Sequence, residues 1–417
     1  MGRRCVVGAG VGLQRGGRPY ADWPLSGLGR TLWWQFRGLS GRGRAPAVPV
    51  HRKEGPAVVA TMTYVGLDVH ARSTHAAAVD VVSGELRRAR FGAGCEEVVG
   101  WLGTLPGPVR ACYEAGPTGF SLFRAAEAAG VRVEVVAPSK TPRAPGGRVK
   151  TDRKDAELLA RLLLAGQLAF VAVPSASYEA ARHLCRAREQ VRFDLMRSRH
   201  RVSKLLLLHG RLYPHPNTWT QRHRDWLSRQ RFEEPAAELA YLDALAAVEG
   251  LVARRQALDE RLSRLAVEGE WRSTVARLRC FRGIDTLSAF ALTLEIGDFH
   301  RFPRPSRLAS WLGLVPALDQ SGERRVEGAI TKTGSGYARR LLVEAAWHYL
   351  RQPAVGAALA ARQHDQPAQV LRIAWRAQHR LYRLHARLRA RGKPANVATI
   401  AAARELACFL WAAAVAE

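Results

Sequence analysis

Four carboxylates stand out in a chain otherwise short of acid: Asp68 in YVGLDVH, Glu114 in ACYEAGPTGF, and the pair Asp152 and Asp155 in KTDRKDAELLA. Hard oxygen donors drawn from three separate segments are what a divalent cation needs for phosphodiester chemistry. Asp68 sits inside an apolar run, where an unpaired charge is costly unless it is paired or metal-bound. Glu114 precedes Ala-Gly-Pro-Thr-Gly, at a strand end where a sheet hands over to a helix and where ligands of open α/β sheets collect; its alternative reading is a solvated strand end. Asp152 and Asp155 are three apart, so one helix face can aim both at a common point. For that pair the alternative is structural, because Thr151 or Asp152 is a good N-cap and acids in a first turn suit the helix dipole.

The elements that must position these groups follow from the pattern around them. TYVGLDV reads as a buried strand, and THAAAVDVVSG with ELRRARFG as the rest of a meander turning at Ser83-Gly84. A helix follows from Glu96 to Leu102, then the strand PVRACYEA, the helix TGFSLFRAAEAAG closed by Gly130, and the strand VRVEVVAP. Strands alternating with helices predict an α/β layer fold with a partly parallel sheet over residues 62–174. SKTPRAPGGRVK reads as a basic loop before the helix that carries Asp152 and Asp155. Residues 1–61 hold ten Lys/Arg and two acids without helical or alternating period. They read as a disordered basic extension or a mis-called start, since Met62 directly precedes the first strand.

From 175 to 270 long stretches carry Leu, Val and Ala at helical spacing with Arg between, which predicts a helical hairpin or coiled-coil arm. Its basic face either tracks phosphates or is a solvated surface. His200, His209, His215 and His223 fit no metal-ligand spacing. In the 271–350 segment, LRCFRGIDTLSAFALTLEIGDF suggests a helix-hairpin-helix, with Gly283 and Ile284 presenting backbone N–H groups to a phosphate; the alternative is a plain glycine turn. Further on, Ser321 lies in a polar turn followed by Arg324, Arg325 and Lys332. A hydroxyl on a Gly turn among cations is what a phosphoryl-transfer nucleophile requires, although turn chemistry alone also explains it. The tail, 351–417, adds eleven Lys/Arg against three acids. There Trp375 and Tyr382 are expected to pack in the core rather than stack on bases.

The whole chain bears 64 Lys+Arg against 36 Asp+Glu, a formal charge of +28, which points to a polyanionic partner, nucleic acid before membrane. No uninterrupted run of 18 apolar residues is present, and no membrane partner is expected. Six scattered cysteines suit reduced thiols in a cytoplasmic, nucleoid-associated protein and show no C-x-x-C spacing.

YVGLDVH, YEAGPTG, KTDRKDAELLA, RGIDTLSAFALTLEIGDF, ASWLGLVP and SGERRVEGAITKTGSGYARRLLVEAAW occur in an order that resembles the DEDD transposases of bacterial insertion sequences, the insertion-sequence-one-ten family, related to the Piv DNA invertases. The resemblance spans about residues 62–390. It implies a RuvC-like (ribonuclease H fold) N-terminal domain with Asp68, Glu114, Asp152 and Asp155 as ligands of Mg²⁺ (or Mn²⁺). It further implies an all-α C-terminal transposase domain whose serine nucleophile maps onto Ser321. Family members commonly carry Ser-Ser-Gly there, whereas this chain has Gln320-Ser321-Gly322; the following Gly-Glu-Arg-Arg aligns Ser321 with the second serine. The expected partners are DNA, a noncoding guide RNA encoded by the element, and further copies of the chain in a dimer or tetramer. Two rival readings remain: a RuvC-like structure-specific nuclease using metal-activated water, and a catalytically decayed nucleic-acid-binding copy.

Overall fold

A computed structural model describes residues 62–142, 151–322 and 324–416, and these fall into two compact units, one ending at Phe170 and the other beginning at Val171. The expectations for 1–61 and for most of the SKTPRAPGGRVK loop lie outside the described residues.

The first unit is a mixed sheet. It is built from β1 (Thr63–Val69), β2 (Thr74–Asp80), β3 (Leu86–Phe91), α1 (Cys95–Gly103), β4 (Val109–Glu114), α2 (Ser121–Ala128), β5 (Arg132–Val136) and α3 (Asp152–Leu164). The strand order is β3-β2-β1-β4-β5, antiparallel across the first three and parallel from β1 to β4 and β5. The meander, the crossovers and the partly parallel sheet agree with the sequence reading, and the arrangement is consistent with a RuvC-like α/β domain.

One glycine sets how α3 lies on this sheet. A Cβ at Gly66 would fall 2.1 Å from the Ala156 carbonyl oxygen and 2.5 Å from the Ala160 nitrogen, so β1 and α3 touch backbone to backbone. Ala156 and Ala160, four apart on one helix face, are fully buried and leave room for that approach. Leu159 and Leu163 close over Cys112 and Val136 beside it; each buried leucine contributes roughly 1.5–3 kcal/mol. Burial pushes the Cys112 thiol up to about 12, which keeps it an unreactive apolar neighbour. Val65, Leu67, Ala111 and Tyr113 alternate to the opposite face and are also buried. α1 and α2 pack on each other, and α2 also packs on β5.

The second unit is helical. Its elements are α4 (Ala176–Leu208), α5 (Gln221–Ser228), α6 (Pro235–Leu265), α7 (Arg272–Leu278), α8 (Thr286–Ile296), α9 (Pro305–Trp311), β6 (Pro316–Ser321), β7 (Arg324–Ile330), α10 (Gly336–Ala346), α11 (Ala357–Gln363), α12 (Ala368–Ala390) and α13 (Ala395–Ala414). α4 and α6 pack together as a long hairpin, pinned toward its base by Arg188 Nε on Asp259 Oδ1 at 2.7 Å. Its far end is closed by α5 and by Leu195, Val202, Leu206, Leu227, Tyr241 and Val248. There His223 is a structural residue: its Nδ1 accepts from the Trp219 amide at 2.9 Å, and burial lowers its pKa, which holds it neutral. The hairpin base shares one core with α7, α8, α10, α12 and α13. α13 is long and apolar enough to cross a membrane by length and composition. Half of it is nonetheless buried in this core, and its Glu405 holds Arg380 at 2.8 Å.

Two expectations are corrected here. The second half is not all-α, because Pro316–Ser321 and Arg324–Ile330 form an antiparallel hairpin with Ser321 paired to Arg324. Gly322, at φ +56, opens the reversal, and the short runs on either side are too polar to bury a helix face. Trp375 is not a core residue. It is 43% exposed on α12, with its ring edge-on to His379 at 4.5 Å, because the buried stripe of that helix is already filled by Ile373, Ala377, Leu381 and Leu384.

Candidate metal centre

The parallel register pairs Gly66 with Cys112 and Leu67 with Tyr113, which puts Asp68 and Glu114 one step further on adjacent strands. Both share parity with the residues that face α3, so both lie on the α3 side of the sheet. α3 begins over that edge. Thr151 is its cap, accepting the Lys154 amide, so neither aspartate is used in capping and both belong to the first turn. The positive end of the helix dipole thus lies beside the carboxylates it helps to present.

Asp68 and Asp152 converge on a third group that the sequence reading did not single out. His70 Nε2 lies 3.2 Å from Asp68 Oδ2 and 3.7 Å from Asp152 Oδ1. One donor atom from each of Asp68, His70 and Asp152 lies within 4.8 Å of the others. Among the described residues no other trio of His, Cys, Asp or Glu side chains converges in this way. Asp155 is near enough to act on Asp68 electrostatically, and Glu114 stands at the neighbouring strand end without joining that trio. The far oxygen of Asp152 is met by His75 Nε2 at 3.7 Å; His75 sits opposite Asp68 in the β1–β2 register. The signal for His70 was its place two residues after Asp68, which returns it to the same side of the chain.

Burial raises the Asp68 pKa above its ordinary value; His70 opposes this, while Asp152 and Asp155 add to it. Negative charge gathered in a partly desolvated corner is the electrostatic condition that a divalent cation relieves. Oxygen donors with an imidazole beside them fit such an ion chemically.

Ser321 belongs to the second unit, at the exposed tip of the β6–β7 hairpin. Arg324 is its cross-strand neighbour, and Arg325 is engaged with Glu327 at 3.0 Å. Lys332 closes the hairpin with a left-handed backbone, φ +56, its amide donating to the Gly313 carbonyl at 3.1 Å. Arg339 of α10 fixes this base, donating to the carbonyls of Leu312 at 3.0 Å and of Thr333. The nucleophile candidate and its cations therefore sit on a ribbon that is solvated along its length and anchored at its root.

Gly283 lies between α7 and α8 at φ +78, and a Cβ there would come within 2.7 Å of the Ala345 carbonyl, so close packing against α10 itself explains the glycine. The α8 N-terminus is capped by Asp285, which accepts the Ser288 amide at 2.7 Å. That cap engages the Ser288 amide, not the Gly283 and Ile284 amides for which the sequence suggested a phosphate. α12 has no acid along its length and exposes Arg372, Arg376, Arg383 and Arg387 together with Trp375, a cationic surface.

Comparison with known proteins falls on these same segments. The DEDD transposase family of IS110 elements matches residues 65–210, and the family described as Transposase IS116/IS110/IS902 matches residues 275–361. A protein of Sinorhizobium fredii, y4qE, provisionally named a transposase, is 38% identical over 387 residues, covering 91% of this chain and 94% of its own. The transposase for insertion sequence element IS1533 of Leptospira borgpetersenii is 32% identical over 336 residues, 77% of this chain and 94% of its own.

Proposed function

This chain belongs to the IS110 family of DEDD insertion-sequence transposases, and from that premise we propose that it cuts and rejoins DNA strands with an acidic metal centre and a serine nucleophile. The convergence of Asp68 and Asp152 at the mouth of the mixed sheet carries the reading. In this proposal the first unit is a RuvC-like catalytic domain in which Asp68, Glu114, Asp152 and Asp155 hold Mg²⁺ or Mn²⁺. The bound cation supplies Lewis-acid polarisation of the scissile phosphate.

Ser321 Oγ attacks the phosphorus of that phosphate and the sugar oxygen leaves, so the DNA end becomes a phosphoserine diester. A hydroxyl of the second strand later displaces the serine. Arg324, Arg325 and Lys332 offset charge on the phosphate oxygens. Strand exchange needs two such sites, which calls for a dimer or tetramer on the DNA. The cationic face of α12 and the arm hold nucleic-acid backbones, including a guide RNA whose pairing reads the sequence. Such chemistry belongs in the bacterial cytoplasm, where the chromosome lies.

A second reading is favoured by one observation: the acids and the serine belong to different units, and the acidic centre is assembled by the first unit alone. On that reading the protein is a nuclease using metal-activated water. Denaturing electrophoresis after incubation with DNA carrying the element's junction, with the flanking RNA and Mg²⁺, separates the two. A protein-linked DNA band lost in Ser321→Ala supports the transposase mechanism. Cleavage that persists in Ser321→Ala without any adduct, and disappears in Asp68→Ala, supports the nuclease.

A further inference from the structure

We propose that His70 is itself a ligand of the divalent cation at the acidic centre, and that its imidazole biases the site toward Mn²⁺ over Mg²⁺ and Ca²⁺. This rests on the reading that the centre holds a cation, and goes beyond it by adding a nitrogen donor and a selectivity.

The position of His70 is fixed by backbone rather than chance. Its amide donates to the Ser73 carbonyl at 2.9 Å, closing the tight connection from β1 to β2. The residue lies two places beyond Asp68, so the alternation that turns Asp68 toward α3 turns the imidazole the same way. Nε2 ends between carboxylates from two different elements, 3.2 Å from Asp68 Oδ2 and 3.7 Å from Asp152 Oδ1. Adjacent ligands around a six-coordinate ion with bonds of about 2.1 Å lie about 3 Å apart, and opposite ones about 4.2 Å. The His70 separations fall in that range, so small side-chain rotations suffice to bring all three donors onto one ion.

His75 completes the arrangement. Its Nε2, 3.7 Å from Asp152 Oδ2, engages the oxygen that His70 does not, leaving Oδ1 directed at the shared point. A nitrogen donor matters chemically, because Mg²⁺ and Ca²⁺ prefer oxygen while first-row transition ions accept imidazole readily. Oxygen-only acidic centres lack that discrimination.

The test uses the full-length protein and Mn²⁺ alone as probe, without nucleic acid. Pulsed electron paramagnetic resonance of bound Mn²⁺ is expected to show ¹⁴N coupling in the wild type and in His75→Ala. In His70→Ala and His70→Asn the coupling is expected to be lost. Titration calorimetry is expected to show Mn²⁺ affinity falling about 10- to 100-fold in His70→Ala, while Mg²⁺ affinity changes less than about 3-fold. Coupling that survives in both His70 variants, or unchanged Mn²⁺ affinity in His70→Ala alongside loss in Asp68→Ala, overturns the assignment of His70 while leaving the acidic centre intact. Absence of Mn²⁺ binding in the wild type overturns both. Circular dichroism melts of each variant show whether any loss reflects unfolding.

Discussion

Gly66 is the position at which fold and chemistry can be separated by one methyl group. Replacing it with alanine puts a Cβ 2.1 Å from the Ala156 carbonyl oxygen, 2.5 Å from the Ala160 nitrogen and 2.8 Å from the Leu159 Cβ. Two of these are backbone atoms, so no rotamer change relieves them. Restoring an ordinary separation of about 3.4 Å requires β1 and α3 to part by about 1 Å. Overpacking of this kind costs about 1–3 kcal/mol, and the backbone contacts place Gly66→Ala at the upper end. For a unit of about 100 residues that lowers its Tm by roughly 10–20 °C. The same displacement carries Asp152 away from Asp68, and a misplacement of about 1 Å at a reacting centre costs on the order of 100-fold in rate. Gly100→Ala is the matched control, since nothing lies within 4 Å of its Cβ and it sits in α1. It is expected to be neutral or to stabilise by up to about 1 kcal/mol. Calorimetric melts with a Mn²⁺-supported cleavage assay check both variants. A Gly66→Ala protein with wild-type Tm and wild-type activity would refute the claim that backbone contact of β1 with α3 assembles the centre.

Three further predictions concern charge. Because burial first, and Asp152 and Asp155 with it, raise the Asp68 pKa above its unfolded value of 3.8, the folded state holds that proton more tightly. The stability it contributes is therefore fully present below pH 3.8 and is lost as pH rises through the folded value. Metal-free Asp68→Asn should consequently melt higher than wild type at pH 7, with the difference shrinking toward pH 3. Saturating Mn²⁺ should stabilise wild type but not the variant; calorimetry at both pH values checks this. Glu189, buried between Arg192 and Arg340, bridges α4 and α10 at 2.8 and 2.6 Å. Glu189→Ala is expected to cost the second unit about 2–3 kcal/mol in urea melts, less than a fully buried pair because both arginines keep some water contact. On α12, Arg376→Ala with Arg383→Ala should leave melting unchanged and weaken non-specific duplex binding. The salt slope is expected to fall by about 2; an unchanged slope in fluorescence titrations would remove this face from the interface.

The local order of this protein is written in its sequence. Alternation in TYVGLDV, the turn at Ser83-Gly84 and the apolar stripes of α3, α4 and α6 announce their elements, because each depends on neighbours within a few residues. The four acids were legible as candidates for the same reason: a carboxylate in an apolar run, or a pair three apart at a helix start, is conspicuous without any partner in view. What the sequence did not determine depends on atoms far apart in the chain. Gly66 reads as an ordinary strand glycine until Ala156 and Ala160 are laid against it. His70 reads as a residue leaving a strand until Asp152, 82 positions later, brings its carboxylate alongside. The hairpin bearing Ser321 escaped notice because polar, exposed strands lack the buried alternation that identifies a strand. Local propensity thus specified the pieces, and the close contact of β1 with α3 decided which charges meet.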